Sequence, residues 1–159
     1  MEQEKPQLIE GFFDASLMKT AIVASRFNEF LVNRLVEGAF DALRRHGAKV
    51  SEQTLIWVPG AFEIPLVAKK LASTGKFDAV ICLGAVIKGD TFHFEQVSNA
   101  ANNGIAQASL STGTPMTNGI LALQTLEQGI ERSGSKVGNQ GFNAALAAIE
   151  LVNVLRRIG

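Results

Sequence analysis

His93 follows a short run of small and polar residues, Gly89-Asp90-Thr91, at the point where an apolar strand pattern gives way to a long helical one. Backbone N–H groups left free at a helix N-terminus, together with the positive end of its dipole, attract phosphate or carboxylate without a dedicated side chain. An imidazole with an ordinary pKa of about 6.5 can accept or donate a proton at neutral pH. An anion cradle beside such a ring suits acid–base chemistry on a phosphorylated small molecule. The competing reading is a histidine that merely satisfies a helix terminus, and its place in an anion-binding turn favours the functional one.

Other residues have unusual settings. Phe27 lies in the polar stretch Ser25-Arg26-Phe27-Asn28 just beyond a strand, where an aromatic is either a stacking surface for a planar ring or a plug in the core. Glu63 begins a helix, where a carboxylate is favoured whatever its role. The surrounding VPGAFEIP adds Gly60 and Ala61, small enough for a ligand to approach the backbone while Glu63 accepts hydrogen bonds from hydroxyls. Arg132 has Glu127 and Glu131 nearby as exposed partners, or a phosphate as a bidentate one. His46 falls in the last turn of a helix and reads as structural. Cys82, the single cysteine, excludes an internal disulfide and reads as an inert buried thiol. Trp57 belongs to core or interface.

These residues need a frame, and the apolar periodicity supplies one. Strands are predicted at 20–24, 54–58, 79–87 and 116–123, the last three bounded by Pro or Gly. Helices follow each of them. One carries Leu31, Leu35, Ala39 and Leu43 and ends at Gly47. The next runs over 64–72 with Pro65 in its first turn and Gly75 at its end. A third carries Phe94, Val97, Ala101, Ile105 and Ala108 to Gly113. Thr125 and Gln128 form a capping box in which each satisfies the other's free donor, opening a helix that ends near Gly134. A loop, SKVGNQG, leads to a last helix over 142–158 with Leu146, Ile149 and Val152 inward. Strand–helix alternation implies parallel pairing buried on both faces, so the expected fold is a three-layer α/β/α sandwich around a four-stranded parallel sheet with flavodoxin-like strand order. In such sheets ligands bind beyond the carboxyl ends of the strands. The segments 26–28, 59–63, 88–93 and 118–119 all follow or finish strands and are expected to share that edge.

Length and composition set bounds. With 159 residues and no linker or repeat, the chain reads as one domain over 1–159. Fifteen basic residues balance fifteen acidic ones, which leaves no field for nucleic acid. The first twenty residues lack the pattern of a signal peptide and no run reaches membrane-spanning length, so a soluble cytoplasmic protein with no membrane partner is expected. Residues 1–17 carry Leu8, Ile9, Phe12 and Phe13, which suggests packing against a neighbour. Two isolated histidines without a Cys or acidic cluster at ligand spacing argue against a metal site. GxSxG, P-loop and dinucleotide fingerprints are absent.

Taken together, SRFN at 25–28, VPGAFEIP at 58–65, GAVIKGDTFHFE at 84–95 and KVGNQG at 136–141, in this order over nearly the whole chain, resemble the lumazine synthase family. The resemblance implies condensation of 5-amino-6-ribitylaminouracil with 3,4-dihydroxy-2-butanone 4-phosphate to 6,7-dimethyl-8-ribityllumazine, with phosphate and water released and no cofactor required. It implies that Phe27 stacks on the pyrimidine, that the backbone of Ala85, Val86 and Ile87 bonds its polar edge, and that Ala61, Phe62 and Glu63 hold the ribityl chain. Gly89, Asp90 and Thr91 would bind the phosphate with Arg132, and His93 would move protons. Sites in the family lie between subunits of a pentamer, with Asn118 and Arg132 from the adjacent chain, and some members build an icosahedral shell of twelve pentamers. Asn118 stands where many members have an aromatic, Gln140 replaces a usual lysine, and Lys88 a frequent arginine. Two other classes come from the same features: a non-catalytic flavin- or lumazine-binding cage protein, and a flavodoxin-like FMN carrier, which the absence of tyrosine and the single tryptophan disfavour.

Overall fold

Runs of β-branched and aliphatic residues can bury both faces of a strand only if helices cover each side of the sheet, and four such runs do so here. In the computed structural model, which describes residues 4–135 and 138–159, they are β1 (Thr20–Ser25), β2 (Thr54–Val58), β3 (Ala79–Ile87) and β4 (Met116–Leu123). They form one parallel sheet in the order β2-β1-β3-β4, the flavodoxin-like order expected. The helices are α1 (Glu29–Arg45), α2 (Ile64–Ser73), α3 (His93–Thr112), α4 (Leu126–Arg132) and α5 (Gln140–Ile158). No helix among the described residues is long and apolar enough to cross a membrane.

Alternation along the strands assigns the two apolar layers. Ile22 and Ala24 of β1 pack with Leu31, Leu35 and Leu43 of α1 and Ala145 and Ile149 of α5. Ala21 and Val23, on the opposite face, pack with Ala68 of α2 and Ala101 and Ile105 of α3. Leu146, placed among the inward residues by its spacing, is only partly buried, and small residues, Ala144, Ala145 and Ala148, take most of that face of α5.

That choice of small residues follows from how closely α5 approaches α1. A Cβ at Gly141 would overlap the Leu35 carbonyl, and one at Gly38 would overlap the Asn139 side chain. Asn139 occupies the freed space and makes two bonds at once. Its Oδ1 accepts from Phe142 N at 3.0 Å, capping α5, and its Nδ2 donates to the Arg34 carbonyl at 2.9 Å, across 105 positions of chain. Part of the GNxG pattern therefore has a packing cause.

Side-chain bonds also close the amino edge of the sheet. Gln53 Oε1 accepts from the backbone N–H and hydroxyl of Thr20, while its Nε2 donates to the Met18 carbonyl at 2.9 Å. Asp78 Oδ2 accepts from Lys19 N at 2.8 Å, and its other oxygen lies 3.3 Å from Arg156 at the end of α5. The segment before β1 lies against α5 of its own chain, with Arg157 donating to the Glu10 carbonyl and Asn153 to that of Asp14, both at 2.9 Å. Leu8, Phe12, Phe13 and Leu17 nevertheless remain exposed.

Three details differ from the sequence-based expectation. A short antiparallel pair, β5 (Ser133–Ser135) with β6 (Gly138–Asn139), starts just before the SKVGNQG loop and runs into it, too brief and glycine-rich to show a period-2 pattern; Lys136 and Val137 of that motif lie outside the described residues. The box at α4 is not reciprocal: Thr125 Oγ1 accepts from Gln128 N at 3.3 Å, but Gln128 Oε1 takes the N–H of Gln124, at 2.9 Å. The last helix begins at Gln140 rather than Phe142 because Asn139 caps it.

Replacing Gly141 with alanine should destabilise the protein more than Asn139→Ala. The former forces α5 off α1, an overpacking cost of about 1–3 kcal/mol or more, whereas the latter removes a cap and a long-range bond, about 1–2 kcal/mol. Urea unfolding midpoints of the two variants check the order.

Candidate active site

Parallel pairing puts the loops after β1, β2 and β3 at the carboxyl edge, and together they surround a cavity of about 580 Å³. That volume lies within the roughly 300–1,000 Å³ usual for small-molecule sites. Phe27 comes from the first loop, Gly60, Ala61, Phe62 and Glu63 from the second, and Gly89 and Thr91 from the third. The last residues of β3, Ala85, Val86 and Ile87, form one wall, and His93, Phe94, Gln96 and Val97 of α3 another.

The first loop owes its position to backbone bonds. Arg26 N donates to the Val58 carbonyl at 2.8 Å and Phe27 N to that of Pro59 at 3.1 Å, so the chain leaving β1 is tied to the end of β2. Asn28 then adopts a left-handed conformation and reaches the other way, its Nδ2 donating to the Ala85 carbonyl at 2.8 Å. Phe27 is 73% exposed at the cavity rim, which settles its two readings against the core plug. The neighbouring Arg26 guanidinium lies 5.8 Å from the centre of the half-buried Trp57 ring.

In the second loop Gly60 is extended and Ala61–Glu63 form a single 3₁₀ turn that leads into α2, with Pro65 in its first turn. The Glu63 carboxylate folds back over Gly60, where a Cβ would come within 3.3 Å of Oε2. The glycine thus leaves room for an acceptor at the cavity wall. Phe62 is 64% exposed beside it.

The third loop leaves β3 with Lys88 N bonded to the Leu123 carbonyl at 2.8 Å. His93 is the first residue of α3, and Gly89 to Phe92 stay outside the helix. Thr91 Oγ1 accepts from His93 N at 3.4 Å, a long bond, and no side chain caps the helix. A twenty-residue helix therefore presents its positive end at this wall with His93 exposed on it. Asp90 is exposed and, unlike Gly89 and Thr91 on either side, does not line the cavity.

Asn118 and Arg132 are not brought to the cavity within one chain. Because β4 starts with Met116 opposite Val80, Asn118 falls opposite Cys82 in mid-strand instead of at the carboxyl edge where its segment was expected. It is exposed on the edge strand, with Nδ2 donating to Asn102 Oδ1 at 2.7 Å and Oδ1 accepting from Ile120 N at 2.9 Å. Arg132 closes α4, its Nη1 donating to the Gln128 carbonyl at 3.2 Å, and the predicted pairing with Glu127 or Glu131 does not form.

Sequence reasoning missed two residues beneath the cavity. Asn28, within SRFN, carries one sequence signal, asparagine's tolerance of left-handed backbone. Ser25 ends β1 with its hydroxyl buried and without a hydrogen-bond partner, in the space left by Gly84, whose Cβ would stand 2.8 Å away. A serine in an apolar strand gives no such signal. The structural reading of His46 holds: it terminates α1, with Nδ1 2.6 Å from the Ala42 carbonyl.

A family model described as 6,7-dimethyl-8-ribityllumazine synthase matches residues 17–156. The match takes in every strand and every residue lining the cavity.

Cys82 should be silent towards thiol reagents. Complete burial pushes its pKa from 9.0 up to about 12, so at pH 8 it carries almost no thiolate. Maleimide should label one thiol per chain in urea and none in the folded protein. The linkage has a defined sign: the unfolded chain loses this proton near 9.0 and the folded chain only near 12. This contribution to stability is therefore intact below pH 9 and declines as pH rises towards 12. Cys82→Ala should flatten that part of a stability-versus-pH curve.

Proposed function

We propose that this chain, which belongs to the 6,7-dimethyl-8-ribityllumazine synthase family, catalyses the step after which the family is named. It condenses 5-amino-6-ribitylaminouracil with 3,4-dihydroxy-2-butanone 4-phosphate and releases phosphate and water, a transferase reaction of riboflavin biosynthesis in the cytoplasm. The observation that carries this reading is the convergence of Phe27, Ala61 to Glu63, Ala85 to Ile87, Gly89, Thr91 and His93 on one cavity in a chain of that family.

Each wall suits one part of the substrates. The exposed Phe27 ring offers a face to a pyrimidine, whose polar edge would meet backbone at Ala85 to Ile87. Glu63, drawn over Gly60, offers acceptors to the ribityl hydroxyls beside Ala61 and Phe62. The uncapped start of α3, preceded by Gly89, Asp90 and Thr91, supplies backbone donors and a dipole for the phosphate. His93 stands at that same helix end, where it would take up and return protons during imine formation, phosphate elimination and ring closure. Holding two reactants together supplies much of the acceleration in such a reaction, so a single acid–base residue is sufficient.

The site is completed by a neighbouring copy in a pentamer. Asn118 and Arg132 lie away from the cavity of their own chain, which accords with their serving the next one. The exposed Leu8, Phe12, Phe13 and Leu17 of the N-terminal segment offer apolar surface for such a contact. The short sequence SGSKVGNQG resembles that of family members lacking the insertion of purely pentameric relatives, which favours assembly of twelve pentamers into a shell. Mass measurement in solution distinguishes pentamer from shell, and a monomer contradicts both.

Mixing purified protein with both substrates while following lumazine absorbance and phosphate release tests the reaction; turnover no faster than the uncatalysed rate refutes it. His93→Ala should lower kcat by about 100-fold, the low end for general acid–base catalysis, with little change in pyrimidine affinity. Phe27→Ala should do the reverse. Arg132→Ala should raise KM for the phosphorylated substrate alone, and an unchanged KM removes it from the phosphate site.

A further inference from the structure

The Phe27 ring is largely exposed, so packing does not hold it in place, and the wall it forms depends on the backbone beneath. Among the described residues Asn28 is the one residue other than glycine with positive φ, at φ 59 and ψ 41. It also stands at the N-cap of α1, where asparagine ordinarily turns its side chain onto a free N–H of the first turn. Here the side chain makes no cap bond. Two local preferences are overridden at one position, which requires a compensating tertiary contact.

That contact is the bond from Asn28 Nδ2 to the Ala85 carbonyl. In the β1–β3 ladder Ala24 lies opposite Leu83, so continued pairing would place Arg26 opposite Ala85. By strand alternation the donor aimed at the Ala85 carbonyl would be Phe27 N, but it bonds to the Pro59 carbonyl on the β2 side, so β1 supplies β3 with no partner from that point. The Asn28 amide occupies the position that the next donor of β1 would have filled. Lys88 N bonds to β4, so by strand alternation the backbone groups of Ile87 face the same side as those of Ala85, towards the cavity. The amide thus ends the ladder one step before the backbone groups that a ligand would use.

Resting on the proposed reading of the cavity, we infer that Asn28 is a positioning residue: its amide fixes the gap between the Phe27 ring and the β3 backbone at Ala85 to Ile87, into which the planar ring of a substrate fits. It touches neither the ring nor the reacting atoms. Its effect is confined to the planar substrate, because the phosphate-binding end of the cavity is built by Gly89 to His93 and is not tied to this bond.

Three full-length variants test it. Asn28→Asp keeps a residue that tolerates left-handed backbone but loses the donor, Asn28→Gly relieves the backbone and loses the side chain, and Asn28→Ala loses the bond while keeping the strain. In the unliganded protein, backbone hydrogen exchange over 84–88 should quicken about tenfold in all three, the effect of one lost hydrogen bond. The Kd for 5-amino-6-ribitylaminouracil should rise about tenfold for the same reason, while that for inorganic phosphate stays within about twofold. Only Asn28→Ala should also lose appreciable thermal stability. Unchanged exchange and ring affinity in the Asp and Gly variants would overturn the inference, as would equal loss of ring and phosphate binding. Should the natural protein fail to bind the pyrimidine, the functional reading falls, while the exchange measurement still decides whether Asn28 holds β3.

Discussion

The parallel pairing of β1 with β3 is the constraint from which the site follows. These two strands run side by side in the same direction at the centre of the sheet, with β2 outside β1 and β4 outside β3. Chain leaving β1 turns towards β2 and chain leaving β3 turns towards β4, so a crevice opens between them at the carboxyl edge. The bonds of Arg26 and Phe27 to the end of β2, and of Lys88 to the end of β4, are this divergence at atomic detail. The cavity occupies the crevice, and the loop after β2 closes its far side.

The two edges of the sheet are treated differently. At the amino edge Gln53 joins backbone to backbone through both ends of its side chain, and Asp78 links the Lys19 N–H to Arg156 at the end of α5. Around the cavity at the carboxyl edge the start of α3 has no side-chain cap, Gly60 and Gly89 carry no side chain, and the Ala85 carbonyl receives a side-chain donor from Asn28. A buried sheet with every backbone group paired could not recognise anything, and the unpaired groups are gathered on the edge where they serve a ligand. The amino edge and the α1–α5 contact through Asn139 and Gly141 provide the rigidity that such an open edge lacks.

Much of this was legible from residue types. Strands β2, β3 and β4 read directly because runs of Val, Ile, Leu and Ala end against Pro or Gly, and strand–helix alternation then dictates a parallel sheet and one functional edge. Most of the lining could be anticipated for that reason alone, since residues just beyond a strand end face the crevice. What the sequence hid depends on register and on backbone conformation. Asn118 is expected at the edge although the strand predicted over 116–123 already contains it, and the pairing of Met116 with Val80 places it in mid-strand. The side chain of Gln128 could not be assigned to Gln124 rather than Thr125 by spacing, because both N–H groups lie within its reach. Ser25 and Gly84 form a complementary pair across β1 and β3, and neither position shows that relation by itself.

The phenylalanines around the cavity connect its chemistry with assembly. Phe27 and Phe62 are 73% and 64% exposed, and Phe92 is also largely uncovered. At roughly 25 cal/mol per Å² of apolar surface, leaving rings of this size in water forgoes about 1–2 kcal/mol each. Intramolecular packing has not recovered that energy, although Val86, Ile87 and Val97 are close at hand. An uncovered ring at a strand end is therefore surface held in reserve for another molecule. On the reading proposed above a pyrimidine covers Phe27, and a second copy of the chain closes the rim, bringing with it the arginine that the cavity lacks. Substrate binding and subunit contact then draw on the same apolar rim, which ties a completed site to a completed assembly.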